Sequence, residues 1–457
     1  MNSTRIEQDS MGEVHVPTEA LWGAQTQRAI QSFSISDRRI PSILRRSLAI
    51  VKLSAARANA ELGEVDQRTA DAVAAASERM HDDEELQHHM PVDVYQTGSG
   101  TSWNMNVNEV IAHLASEQLG EPVHPNDHVN RGQSSNDVIP TAMQIACRLE
   151  LRPLVDAIAE LETELADLAA RTRDIIKLGR THLQDAVPMR LGDEISGYVH
   201  SCAQARQAVE SVSSELEALP LGGTAVGTGL NAHPDFADRA IAGISEKTGI
   251  GFRPAENRVA LMAGKEAQVQ LASAMNRLAV VLMRLGNDLR LLSSGPHGGL
   301  AEIELPALQP GSSIMPGKMN PVIPEMVIQV AARVMGAHTT ITIAAQNGPL
   351  QINIMQPLIA SETLECMSLL THACKRLADS CVSGIRANAS RAGSHVEQSL
   401  ALVTPLALKI GYAEAARIAH RAHHEGRTLK DILLEESVIP PEDIEAVLDP
   451  RGMLGNQ

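Results

Sequence analysis

The sequence predicts a mainly α-helical protein organised around long, closely packed helices. Two observations carry this. Only three Phe, three Tyr and two Trp occur among 457 residues, so the core is built from Leu, Ile, Val, Met and Ala, side chains that suit helix-on-helix packing. Leu154, Ile158, Leu161, Leu165 and Leu168 follow a four-three-four-three spacing, and Leu271, Met275, Leu278, Leu282, Leu285, Leu289 and Leu292 repeat it. Such a sustained apolar stripe marks long helices with coiled-coil-like packing. Helices of that length usually bury a second face against another subunit, so an oligomer is expected.

Along the chain, residues 1–40 read as irregular, with Pro17, Gly23 and a serine-rich patch. From Pro41 to about Met80 the apolar pattern gives two helices. A loop covers 81–102, with His88, His89, Pro91 and the turn Gly98-Ser99-Gly100, and a second polar loop runs over 120–136. A helical pattern opens near Val138. Gly179–Asp185 (GRTHLQD) reads as a connection between two helical stretches, and Leu221–Asn231 (LGGTAVGTGLN) is too rich in Gly and Thr for regular helix. From about 388 the pattern shortens, with a helix over 412–425 and then Pro440-Pro441 and Asp449-Pro450. The expected domains are an N-terminal mixed domain over 1–133, a central helical bundle over 134–387, and a small C-terminal helical domain over 388–457.

A formal net charge of −16 makes nucleic acid and anionic membranes poor partners. An acidic chain that binds an anion needs local cations, which singles out Lys318, Arg180 and Lys177. The five cysteines, Cys147, Cys202, Cys366, Cys374 and Cys381, form no CxxC pair. Neither a disulfide scaffold nor a structural zinc site is expected, and the thiols read as small buried residues in a reducing compartment. The polar N-terminus has no apolar signal-peptide core, and no apolar run reads as long enough to span a bilayer. A soluble, cytoplasmic protein is expected.

The chemistry lies in the polar interruptions. Gly311-Ser312-Ser313-Ile314-Met315-Pro316-Gly317-Lys318-Met319-Asn320-Pro321 places two hydroxyls, one ammonium and one amide on a loop able to bend around a small ligand. The lysine suits a carboxylate, and a serine can handle a proton if surrounding donors stabilise its alkoxide. Standing alone, such a loop would be a surface turn with a solvated lysine. Gln96–Glu109 (QTGSGTSWNMNVNE) offers Ser99, Thr101 and Asn104 beside a glycine turn, neutral donors that hold carboxylates without neutralising them. The alternative is a loop that bonds to itself. Ser134, Ser135 and Asn136, in QSSND, are good helix caps, and a helix N-terminus also attracts anions. Thr181 and His182 stand in GRTHLQD, and Glu325 follows Pro321. A histidine–carboxylate pair raises imidazole basicity and fixes its tautomer. His88-His89 and His420, His423 and His424 read as solvated faces, and no metal site is expected.

Segments 19–28 (EALWGAQTQR), 96–109, 124–137, 179–185, 221–231, 311–325 and 412–416 together resemble the class II, iron-independent fumarases of the fumarase/aspartase superfamily, and the resemblance spans essentially the whole chain. It implies the mainly helical L-aspartase-like fold, with three domains, a central long-helix bundle and a tetramer around a twenty-helix core, each active site drawing on three subunits. By position it implies Ser312 as catalytic base, His182 as partner acid/base and Glu325 as the carboxylate paired with that histidine. Lys318 and Asn320, with Ser313 beside them, match the substrate-carboxylate clamp. Ser99, Thr101, Asn104, Ser134, Ser135, Asn136 and Thr181 match further substrate contacts, and His124, Asn126 and Asp127 match a secondary dicarboxylate site.

The implied reaction is reversible anti hydration of fumarate to (S)-malate, a step of the tricarboxylic acid cycle, through an aci-carboxylate and without a metal or organic cofactor. The absence of a cysteine cluster also speaks against the iron–sulfur class of fumarase. The chain departs from the family pattern at several points. Trp103 stands where a small residue is usual, so it is expected to narrow the pocket or touch a neighbouring subunit. Met319 replaces a common Val, and Gly132 a common Ser. Asn287–Pro296 and Gly348–Pro357, including Leu350-Gln351-Ile352-Asn353, look more like aspartase. Aspartate ammonia-lyase is therefore the alternative activity, and a non-catalytic scaffold member of the superfamily is a third reading that the intact site residues disfavour.

Overall fold

The computed structural model describes residues 3–454 and is mainly helical. Its residues group into two compact units. The first takes 1–155, 207–277 and 333–370; the second takes 156–206, 278–332 and 371–457.

The first unit opens with a correction to the irregular start expected from sequence. β1 (Thr4–Asp9) and β2 (Gly12–Pro17) form an antiparallel hairpin with Thr4 opposite Pro17 and Asp9 opposite Gly12. Alternation buries Val14 and Val16 on one face, where they pack with Ala20, Ala24 and Trp22. Only two apolar residues mark that face, too weak a period to stand out. α1 (Ala24–Ser32) follows, and its N-terminal amides are captured by a distant carboxylate: Glu109 accepts from the N–H groups of Gly23, Gln25 and Thr26. α2 (Ser42–Glu61) and α3 (Gln67–Asp82) are the two helices expected over 41–80; Asp66 caps the second by accepting from Thr69 N–H. α4 (Thr101–Leu119) starts and ends on left-handed glycines, Gly100 and Gly120. Trp103, in its first turn, is 1% exposed and donates its indole N–H to Val92 O. It is a core residue of its own unit, so neither expectation for it holds.

α5 (Ser135–Arg171) carries the first apolar stripe: Leu154, Ile158, Leu161, Leu165 and Leu168 are all buried. The second stripe lies on Glu266–Leu292, where every member from Leu271 to Leu292 is buried. Val322–Ala345 corrects another expectation. It is 24 residues long and apolar enough to cross a membrane by length and composition, the one such helix among the described residues. Pro324, Glu325 and Arg333 break its apolar run in the sequence, and Arg333 pairs with Glu362 and Glu365 at 2.6 and 2.9 Å.

In the second unit, Gly179–Asp185 is not a helix connection. β3 (Ile176–Thr181) and β4 (Gln184–Arg190) form an antiparallel hairpin, with a register shift at Gly179 and α6 (Leu191–Glu210) following directly. Leu178 reaches from β3 into a core shared with Val396, Leu402, Leu406 and Ile418. The shorter helices expected after 388 are present, and the one over 412–425 spans Tyr412–Glu425.

Candidate active site

The first unit brings two of the singled-out polar segments together. Gly100, at φ 75, lets the chain turn sharply into α4. The turn is braced by Gly100 N–H to Thr97 O at 2.8 Å and Ser102 N–H to Thr97 Oγ1 at 3.0 Å. Ser99 and Thr101, both half-buried, lie with their hydroxyl oxygens 2.8 Å apart. Asn104 sits beneath them, fully buried, and donates to Ser135 Oγ at 3.1 Å and Asn130 Oδ1 at 3.2 Å. This bond ties the first loop to the second.

The second loop is also a helix start. Ser134 Oγ accepts from Asn136 N–H at 3.2 Å, and Ser134 N–H donates to Asp137 Oδ1 at 2.9 Å. The capping expected of this segment is therefore made, reinforced by Asp137. Asp137 Oδ2 then accepts from Gly222 N–H at 3.0 Å and Thr224 N–H at 2.8 Å, while Asn136 donates to Ala225 O at 2.8 Å. The Gly/Thr-rich segment 221–231 is thus pinned against the start of α5. Burial pushes the Asp137 carboxyl up to about 6, against the pull of those backbone bonds.

A third segment packs on the first loop. Gln356 N–H donates to Gly98 O at 2.9 Å, and a Cβ added at Gly98 would lie 1.9 Å from Ile354 O. The aspartase-like stretch Gly348–Pro357 therefore lies against the QTGSGT turn. Leu350 itself is 86% exposed. Nearby in the chain, His124, Asn126 and Asp127 are exposed on a single turn, where His124 Nδ1 accepts from the N–H groups of Asn126 and Asp127. His124 and Asn126 line a cavity of about 460 Å³ together with Trp22, Gln25 and His113.

The second unit carries the remaining candidates. His182 and Leu183 form the two-residue turn of the β3–β4 hairpin with φ of 56° and 58°. Two successive left-handed residues are the geometry of a type I′ turn, and leucine adopts it at a cost. The turn puts His182 and Thr181 at an exposed tip. What fixes the hairpin is a buried ion cluster that the sequence did not reveal. Glu302, fully buried, accepts from Arg180 at 2.8 Å, lies 2.9 Å from His395 Nδ1, and pairs with Lys177 at 3.4 Å; Lys177 also pairs with Glu194 at 3.1 Å. Burial by itself would raise the Glu302 carboxyl, but the bonds from Arg180 and His395 hold it below the usual range. Lys177 and Arg180 are thus occupied in holding the hairpin. No local motif marks Glu302 or His395, which lie more than 100 and 200 residues from the hairpin's start.

The signature segment 311–321 closes on itself. Gly311 N–H donates to Lys318 O at 2.9 Å and Asn320 donates to Gly311 O at 2.6 Å. Within the loop, Ser312 Oγ accepts from the N–H groups of Ile314 at 3.2 Å and Met315 at 3.0 Å. Ser313 and Lys318 are exposed, and the Lys318 ammonium makes no ion pair among the described residues. Glu325 begins the helix that follows and is half-buried; no hydrogen bond or ion pair joins it to His182 among the described residues of this single chain. Nor, among those residues, do three or more His, Cys, Asp or Glu side chains cluster in a way that would hold a metal.

Comparison with known proteins adds to this geometry. The family model described as Lyase matches residues 12–336, and that of the fumarase C C-terminus matches 402–455. Fumarate hydratase class II 2 of Pseudomonas aeruginosa is 46% identical over 454 residues, covering 99% of both chains. Fumarate hydratase class II of Methylorubrum extorquens is 46% identical over 462 residues, covering 99% of this chain and 97% of its own. The crystal structure of class II fumarase from Schistosoma mansoni superposes with a TM-score of 0.93 at 38% identity, covering 99% of each chain.

Proposed function

This chain belongs to the class II fumarate hydratase family of lyases, and from that premise we propose how its residues hydrate fumarate reversibly to (S)-malate. The observation that carries the proposal is the pair of backbone N–H groups, of Ile314 and Met315, aimed at Ser312 Oγ. Donors fixed in that way favour the alkoxide, and hence a serine base.

In the dehydration direction, Ser312 removes a proton from C3 of (S)-malate. The electron pair passes into the adjacent carboxylate, giving an aci-carboxylate with doubled negative charge. Lys318, whose ammonium makes no ion pair among the described residues, and Asn320 stabilise that charge beside Ser313. His182, with Glu325 as its carboxylate partner, protonates the departing C2 hydroxide, so water and fumarate result; in reverse it activates water. Ser99, Thr101, Ser134, Ser135, Asn136 and Thr181 hold the substrate carboxylates through neutral donors, and Asn104, buried beneath them, sets Ser135. Charge stabilisation by fixed donors gives the reaction no need of a cofactor.

No hydrogen bond or ion pair joins His182 to Glu325 among the described residues of one chain, and the largely uncovered apolar helix Val322–Ala345 needs a partner. Both support a homotetramer in which several copies complete each site, as do the long helices. His124 and Asn126, which line their cavity, and Asp127 on the same turn fit a secondary dicarboxylate site. A small-dicarboxylate enzyme of this charge belongs in the cytoplasm, where its substrates are.

Ultraviolet absorbance of fumarate tests the activity, with (S)-malate and L-aspartate supplied in parallel to metal-free protein. Growth with malate alone is expected. Growth with aspartate alone would assign the chain to the aspartases and give the segment packed on Gly98 the task of reading the leaving group. Silence with both would point to another succinyl substrate or a non-catalytic member.

A further inference from the structure

Beneath the two loops of the first unit lies an ammonium with no acid in contact. Lys52, on α2, is fully buried, and its Nζ donates to two neutral amide oxygens, Asn130 Oδ1 at 2.9 Å and Gln133 Oε1 at 3.0 Å. No carboxylate pairs with it among the described residues. Asp137, the acid whose charge it feels, has its oxygens occupied by the N–H groups of Ser134, Gly222 and Thr224. A buried cation is costly unless it is compensated, so its retention here calls for a reason.

Asn130 supplies the connection. Its Oδ1 also accepts from Asn108 at 3.1 Å and Asn104 at 3.2 Å, and Asn104 passes the link to Ser135 Oγ at 3.1 Å. Asn130 Nδ2 in turn donates to Gln133 O, one residue before Ser134. The ammonium is therefore the hub from which both loops are hung.

Resting on the function proposed above, we propose that Lys52 is a positioning residue for the dicarboxylate: through Asn130 it fixes Asn104 and Ser135, and its ammonium, bonded only to neutral amide oxygens, favours an anionic substrate at the loops above it. Loops that offer only neutral donors then hold a dianion above a buried ammonium, without a contact ion pair that would hinder release.

Lys52→Met keeps the length and removes the charge. Asn130→Asp keeps the size and gives the ammonium a carboxylate of its own, at the loss of the Nδ2 donation to Gln133 O. Binding of succinate, an unreactive dicarboxylate, is measured by titration calorimetry on each full-length variant, alongside KM, kcat and the thermal midpoint. Both variants are expected to weaken succinate and raise KM by about tenfold or more, with kcat changed by less than about threefold and no fall in the midpoint of Lys52→Met. Unchanged succinate binding in both variants, or a lowered midpoint of Lys52→Met with unchanged binding, would reduce Lys52 to a structural residue and overturn the proposal. If Lys52→Met does not fold, Lys52→Gln, which removes the charge but keeps an N–H donor, is measured in its place. The wild-type assay with malate tests the activity separately, so failure of one reading is not failure of the other.

Discussion

His395 Nδ1 lies 2.9 Å from Glu302 Oε1, the same oxygen that accepts the 2.8 Å bond from Arg180. One carboxylate thus joins the helix Ala389–Gln398 to the strand that ends at Thr181 and His182. Glu302→Gln would keep the shape and leave Lys177 and Arg180 short of their counter-charge. Breaking a buried pair on one side typically costs about 3–5 kcal/mol. The expected result is a clear fall in the denaturation midpoint, with kcat reduced more than KM is raised, because the hairpin tip loses its support. Chemical denaturation and steady-state kinetics on the variant check both; a midpoint equal to wild type would show that the cluster stabilises nothing.

Ser312→Ala tests the proton-transfer role directly. The hydroxyl accepts two N–H groups on a largely exposed loop, where water can replace it, so the stability change should stay within about 1 kcal/mol. Turnover should fall by about a hundredfold to ten-thousandfold, the range for a lost acid–base group. Circular dichroism and oligomer size should match wild type. Retention of full turnover would move the base elsewhere.

Periodic and loop-forming patterns were open to reading, and contacts between separated segments were not. Leu154 to Leu168 and Leu271 to Leu292 repeat often enough for their helices to be seen in sequence, and Gly411 and Gly426 bracket the helix Tyr412–Glu425. The loops carrying Ser99, Ser134 and Ser312 stood out because Gly, Pro and Ser cannot continue a helix. The hairpin β3–β4 did not, since its turn is His-Leu and not a recognised Asn-Gly or Asp-Gly pair, and its strands carry Lys177, Arg180 and Arg190. Trp103 was misjudged because its acceptor, Val92 O, belongs to tertiary structure. Glu302, His395 and Lys52 were invisible as site residues for the same reason: each acquires its role from partners tens to hundreds of residues away.

Gly98→Ala probes the packing of Gly348–Pro357 on the first loop. The added Cβ would meet Ile354 O at 1.9 Å and Ile354 C at 2.5 Å, both backbone atoms that no rotamer change can move. One of the two segments must shift, at a cost of about 1–3 kcal/mol. Ser99 and Thr101 follow Gly98 directly, so kcat/KM should fall by about tenfold or more, the usual sensitivity to a misplaced binding group. Kinetics with (S)-malate check this; unchanged kcat/KM would separate the turn from the substrate.

Lys52 also makes a pH prediction whose sign is opposite to that of an ordinary paired lysine. Burial pushes its ammonium down to about 7, with Asp137 opposing, whereas in the unfolded chain it titrates near its ordinary value. Below pH 7 both states are protonated, and the folded state bears the full desolvation cost. As pH rises above about 7 the folded state gives up this proton while the unfolded state keeps it, so the unfolded state binds more protons and stability rises with pH. Buried thiols such as Cys374, pushed up by burial, act in the opposite sense at alkaline pH, so the informative quantity is a difference between proteins. Lys52→Met lacks the titration and the cost. It should be more stable than wild type at pH 7, with the advantage shrinking steadily toward pH 10. Urea midpoints of both proteins at pH 7, 8, 9 and 10 measure that difference, and an advantage that stayed constant or grew would mean that Lys52 keeps its proton throughout.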